Sequence, residues 1–201
     1  MKSRTSIPRL LAAPAFALAV LTLVTGSQAA TVIKAATGTD LTDAASWGGT
    51  APTSIDVATW VSTSLGAGLT LASPSSWSGI GVTGALSAIG VTGAGQLTLG
   101  SGGIDMSAST VNLTLGMPIT LGSNQTWNVN SGRTLAASGI ISGGSGMGLT
   151  KVGLGTLTLS GANTYDGTTT ILGGTVVADT ISTATILNLS LIHISEPTRP
   201  Y

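Results

Sequence analysis

From Val111 to Val129 the chain alternates. Val111, Leu113, Leu115, Met117, Ile119, Leu121, Trp127 and Val129 take odd positions, and Thr, Asn, Gly or Pro fills nearly every even one. A period of two puts one face of a strand in a core and the other in water. Pro118 cannot donate to a strand ladder, and Gly116 and Gly122 loosen it, so the run predicts two or three short strands with bends. A second alternation sets Leu157 and Leu159 between Thr156, Thr158 and Ser160 and predicts another half-buried strand. Val152 and Leu154 fall on the opposite parity, which predicts a turn across Gly153 to Gly155. Asn163, Asp166 and Gly167 read as turn residues, the glycine because it tolerates φ > 0 and the Asx side chains because they bond to nearby backbone.

The unit Leu-Thr-Leu occurs at 69–71, 97–99, 113–115 and 157–159, a degenerate repeat with no single clean period. Short strands, frequent glycine turns and weak self-similarity point to stacked rungs, none of which buries its apolar face alone. The expected architecture is therefore all-β, a right-handed parallel β-helix or solenoid over residues 65–188. At the usual repeat length it holds roughly five to eight rungs about 4.8 Å apart. An antiparallel β-sandwich or an irregular β-roll is the alternative, disfavoured because two-residue hairpin signals are few. No window carries a helical stripe with a capping signal, so helix is expected to be minor.

One stretch carries more than periodicity. Leu149-Thr150-Lys151-Val152-Gly153-Leu154-Gly155-Thr156-Leu157-Thr158-Leu159-Ser160-Gly161-Ala162-Asn163-Thr164-Tyr165-Asp166-Gly167 leads into Thr168-Thr169-Thr170-Ile171 and Gly174-Thr175-Val176. It resembles one passenger-associated β-strand repeat of bacterial autotransporters, with Leu135 to Gly143 as a weaker upstream extension. The resemblance implies a secreted, surface-displayed β-solenoid. The repeat positions it marks are Leu149, Lys151, Gly153, Gly155, Leu157, Leu159, Gly161, Asn163, Tyr165, Gly167 and Gly174. Thr168 stands where the family usually carries a second glycine, which predicts a less tight turn there.

Composition changes the picture mainly by exclusion. Only 7% of the residues are charged and 29 of 201 are glycine, yet apolar and Thr residues are abundant, so the chain is expected to fold and not to remain disordered. Met1 to Ala29 reads as a secretory signal peptide: Lys2, Arg4 and Arg9 precede an apolar run from Leu10 to Val24, and Ser27-Gln28-Ala29 offers a small-residue cleavage site. As a helix that run spans about 22 Å, short of the roughly 30 Å bilayer core. Residues 30–64 are expected to form a capping segment. From Leu189 the composition shifts abruptly, and Leu189 to Tyr201 resembles the translation of a sequencing adapter; a foreign segment is set aside in fold reasoning. With no cysteine, stability cannot come from disulfides.

Between the two ends, Lys34, Arg133 and Lys151 stand against Asp40, Asp43, Asp56, Asp105, Asp166 and Asp179, three positive charges against six negative, a net of −3. Nucleic-acid binding needs clustered cations to neutralise phosphates, and none cluster here. The same region lacks His, Cys and Glu, which removes the usual zinc ligands and the imidazole base. No catalytic, cofactor-binding or metal residue is assigned, and no cofactor is expected. Gly79-Ile80-Gly81-Val82-Thr83-Gly84, with Asp105 downstream, fits the dinucleotide fingerprint, but neither a clear strand before it nor a helix after it is predicted, so it reads as a chance match. Gly102-Gly103-Ile104-Asp105 resembles part of a calcium nonapeptide without its recurrence, and reads as a turn.

Trp47, Trp60 and Trp77 precede the clear strands. Exposed, they would stack on sugar rings; the preferred reading is that they cover the open end of the first rung, as terminal repeats must be capped. The functional expectation is a structural, adhesive passenger fragment of an exported bacterial surface protein. The expected partners are an extracellular polysaccharide or a host or neighbouring cell surface, with outer-membrane attachment through a missing C-terminal domain. The alternatives are a carbohydrate-active β-helix enzyme and a self-associating matrix or surface-layer component.

Overall fold

The computed structural model describes residues 29–179 and 187–188. The expected leader, apart from Ala29, and the segment from Leu189 onward lie outside the described residues. The first strands are β1 (Thr31–Ile33), β2 (Val57–Trp60), β3 (Leu69–Thr70), β4 (Ser75–Val82), β5 (Ile89–Thr92), β6 (Leu97–Met106), β7 (Leu113–Leu115) and β8 (Ile119–Leu121). Then follow β9 (Gln125–Val129), β10 (Thr134–Ala137), β11 (Ile141–Gly143), β12 (Leu149–Val152), β13 (Thr156–Leu159), β14 (Thr169–Ile171), β15 (Thr175–Ala178) and β16 (Leu187–Asn188). A short 3-10 helix, Ala44–Trp47, is the only helix among the described residues.

Every strand pairing among the described residues is parallel. The chain winds through about seven turns of a β-solenoid, so the sandwich alternative is overturned. The winding has three faces. β6 pairs with β8 through Leu97–Leu99 and with β9 through Ile104–Met106, so one strand turns the corner between the first and second faces of the ten-stranded sheet. β4 turns the same corner, with a register shift between Trp77 and Gly79. The third face is the six-stranded sheet β3-β5-β7-β10-β13-β15.

Register explains why the repeat looked degenerate. On the third face Ile89 pairs with Leu113, Leu113 with Leu135, and Leu135 with Leu157, advances of 24, 22 and 22 residues; Leu157 then pairs with Val176 after only 19. The triplet at 97–99, by contrast, lies on the first face, stacked on Ile119–Leu121. One local motif thus serves two faces, and its spacing in sequence is no single number.

The alternating run from Val111 to Val129 forms three strands, β7, β8 and β9, separated at Gly116–Pro118 and at 122–124. Leu113, Leu115, Met117, Ile119, Leu121, Trp127 and Val129 are buried in one continuous core. Parallel pairing begins already at Thr31, inside the stretch expected to cap the solenoid. There Trp47, Trp60 and Trp77 are buried and pack together, with ring centroids 5.5, 5.6 and 6.4 Å apart and the two Trp47 pairs edge-on. Edge-to-face packing is favourable for aromatic pairs beyond the area it buries. Trp47 Nε1 donates to the Leu41 carbonyl at 2.9 Å. These rings are core, which removes them as a sugar-stacking surface.

Candidate functional site

The repeat occupies the last well-defined turns. β12 and β13 share one parity: Leu149, Lys151, Leu157 and Leu159 are all buried. The phase change expected at Val152 and Leu154 is therefore corrected. Val152 is half-buried on the outer side and Leu154 is 75% exposed, while the lysine goes inward. The apolar pair misled because the residue that keeps the inward parity is charged.

Lys151 has no exposed surface, and its Nζ donates to the carbonyls of Val152 at 2.7 Å, Gly153 at 2.8 Å and Gly173 at 3.2 Å. Burying an ammonium is costly unless its donors are satisfied, and an ammonium has three to give. All three are used on turn carbonyls, two in one rung and one in the next. Burial pushes its pKa down to about 8. Lys34 repeats the arrangement near the other end, buried, with Nζ on the carbonyls of Ala35, Thr37 and Gly38 at 2.9, 2.8 and 2.9 Å. Its pKa is lowered by the same cause. Both lysines read from sequence as isolated cations; the signal was Lys151's place on the odd parity of Leu149, Leu157 and Leu159.

The glycines of the repeat divide by cause. Gly153 and Gly174 sit at φ 75° and 70°, the left-handed region that side chains rarely adopt. At Gly155, Gly161 and Gly167 a Cβ would come within 2.2, 2.3 and 2.3 Å of the preceding rung's backbone. Gly167 is thus a close-approach glycine and not one of positive φ. Thr168 keeps an ordinary ladder place, its carbonyl accepting from Leu149 N at 3.0 Å.

The Asx residues correct a second expectation. Asn163 is buried and its Oδ1 accepts from Ile141 N at 3.0 Å, while Asp166 Oδ1 accepts from Gly146 N at 2.7 Å. Asn112 and Asn124 likewise accept from Thr134 N and Gly148 N, each at 2.9 Å. These side chains join successive rungs instead of closing local turns. Tyr165 lies inward beside Asn163, its hydroxyl 2.7 Å from Thr169 Oγ1, and burial raises its pKa.

The carboxylates are tied to backbone amides too. Asp40 accepts from Thr42 N at 2.9 Å, Asp43 from Ala45 N at 3.0 Å, and Asp105 from Ser107 N at 2.9 Å. Asp56 takes Thr53 N at 2.9 Å and Ala30 N at 3.1 Å. Hydrogen bonds from Thr42 and Thr53 hold Asp40 and Asp56 below the ordinary carboxylate pKa; a general acid needs the opposite shift. Among the described residues no three His, Cys, Asp or Glu side chains gather where a metal ion would be held. Gly79 to Val82 lies inside β4 with no helix after it, so the fingerprint lacks the helix N-terminus a pyrophosphate needs. Gly102 to Asp105 belongs to β6 at its bend, not to a separate turn.

This arrangement defines a class: a parallel β-solenoid whose polar interior groups hold rungs together. Residues 149–178 match the passenger-associated-transport-repeat, and with the solenoid they fit a repeat fragment of an autotransporter passenger. That family is one of passenger repeats and not of enzymes, and it implies export to the cell surface. No curated protein and no solved structure matches the chain.

Proposed function

We propose that the chain is a structural and adhesive segment of an exported passenger, a stiff rod that displays its outer faces to polysaccharide or to another cell's surface. The observation that carries this is the use of the polar side chains. Asp40, Asp43, Asp56, Asp105 and Asp166 each lock a backbone amide, and the two buried lysines lock carbonyls. Outside, the first face carries a ladder of hydroxyls and amides: Gln96 Nε2 donates to Thr120 Oγ1 at 2.7 Å, and Thr120 lies 3.2 Å from the Ser142 hydroxyl. Such a surface suits many weak polar contacts repeated along a rod, in which avidity replaces single-site affinity.

Secretion through the N-terminal leader and anchoring through a C-terminal membrane domain belong to the same proposal. The secreted chain, incubated with neutral and acidic polysaccharides, is expected to bind without releasing products. Release of new reducing ends would replace adhesion with a carbohydrate-active enzyme. Neither binding nor release, together with concentration-dependent assembly, would leave a self-associating scaffold.

A further inference from the structure

The second face bears a groove of about 440 Å³ over β4, bounded by Ile33, Val57 and Val61 toward the N-terminal end and by Asp105 on the next rung. Its floor is glycine. Gly102 is dictated by the backbone, since a Cβ there would sit 2.8 Å from the Ser78 carbonyl oxygen. Gly81 differs. It is outside the left-handed region, and a Cβ would meet only the Thr59 side chain, Oγ1 at 3.0 Å and the methyl at 3.5 Å, which rotation can relieve. Glycine inside a strand weakens it. The fold does not require Gly81; an open groove does.

We propose that this groove takes a neutral glycan, with Gly81 as the floor that lets a sugar ring approach the sheet. The assignment rests on the adhesive reading above. Ile33, Val57 and Val61 offer an aliphatic wall to the C–H face of the ring. Asp105, registered beside Gly81 and exposed, spends Oδ1 on Ser107 N and presents Oδ2 to ligand hydroxyls. Charge selects among glycans. Of the three cations in the described residues Lys34 and Lys151 are buried, so six aspartates face Arg133 alone and the outer surface is acidic. An acidic field repels uronates and nucleic acids, and Asp105, the one charge in the lining, is too little for a polycation.

The test is retention of the secreted full chain on immobilised dextran, laminarin and hydroxyethyl cellulose, with polygalacturonate and polylysine as comparisons. Wild type is expected to be retained by at least one neutral glucan. Gly81→Val should weaken that retention about tenfold or more, the range of a lost well-placed contact, and Asp105→Asn by less, with melting unchanged in both. If Gly81→Val proves unstable, Gly81→Ala and Asp105→Asn decide on the same readout. Equal retention of wild type and variants overturns the groove and leaves adhesion standing. Retention on polygalacturonate or polylysine alone overturns the neutral ligand, and retention on none of the five overturns both the groove and the adhesive reading.

Discussion

The two buried lysines sit in regions built by different means. Around Lys34 the first winding is long: Thr31 pairs with Val57, an advance of 26 residues, and the interior is filled by three tryptophans. Around Lys151 the winding is short: Leu149 pairs with Thr169 after 20 residues, and the interior holds leucines, Tyr165 and the lysine itself. Lys34 gathers the carbonyls of a single loop, whereas Lys151 reaches from its own turn to Gly173 in the next rung. The difference teaches that one device serves two tasks, closing an irregular end and fastening a regular repeat.

The largest effect should come from emptying either interior. Trp60→Ala removes a ring that touches both other tryptophans and should cost about 3–5 kcal/mol; Leu157→Ala, fully buried between Leu135 and Val176, about 2–5 kcal/mol. Thermal or denaturant unfolding of the full chain measures both. A cost below 1 kcal/mol for Trp60→Ala would mean that the first winding is not packed as described.

The lysines sharpen the contrast. Lys151→Met leaves three carbonyls without their donor and should destabilise by about 1–3 kcal/mol. Lys34→Met should cost less, because Thr37 and Gly38 are exposed and their carbonyls can turn to water. Limited proteolysis separates the two: cleavage near Gly173 should rise in Lys151→Met, and cleavage near Gly38 in Lys34→Met. Equal, diffuse cleavage would contradict the assignment of one lysine to each task.

The pH dependence is smaller and has a definite sign. Lys151 titrates at about 8 in the folded chain against an ordinary 10.5, so above pH 8 the unfolded chain holds the proton that the folded chain has lost. Stability should therefore rise from pH 8 toward 10.5. Tyr165 acts oppositely above its ordinary value of 10.0, since its raised pKa keeps the folded phenol protonated longer than the unfolded one. Comparing Tm of wild type and Lys151→Met between pH 8 and 10 isolates the lysine. A wild-type Tm that falls relative to the variant in that window would reverse the assigned shift. The smallest effect is expected at Asp166→Asn, because an amide oxygen can still accept from Gly146 N at an exposed site; its Tm should lie within the surface-substitution range, about 0.5 kcal/mol.

How much of this was written in local sequence depends on which way a residue's hydrogen bonds run. The alternations at Val111 to Val129 and at Leu157 and Leu159 were legible, because inward and outward are decided by parity alone. β4 was not: Ser75, Ser76, Ser78, Gly79 and Gly81 leave too few apolar contrasts to reveal a strand that is buried by its neighbours. Asn163 and Asp166 read as local turn formers because their partners, Ile141 and Gly146, lie 22 and 20 residues away, beyond any window of local pattern. Lys151 was hidden for another reason. Hydropathy places a lysine outside, and only the three carbonyls supplied by Val152, Gly153 and Gly173 make the interior tolerable. The glycan groove was equally illegible, since Thr59, Gly81 and Asp105 become neighbours only through the register of three rungs.

The central claim is that both regions are rungs of one parallel ladder, and amide hydrogen exchange of the full chain, read peptide by peptide, tests it most directly. Amides that cross between rungs, such as Leu71 N to Thr92 O, Gly116 N to Val91 O and Ser138 N to Leu115 O, should exchange slowly in an unbroken series from β2 to β13. Buried inter-rung hydrogen bonds open only with the packed core, so their protection should approach the global stability. Strong protection confined to 149–178, with fast exchange through β2 to β6, would contradict the single ladder and leave the repeat as an isolated unit.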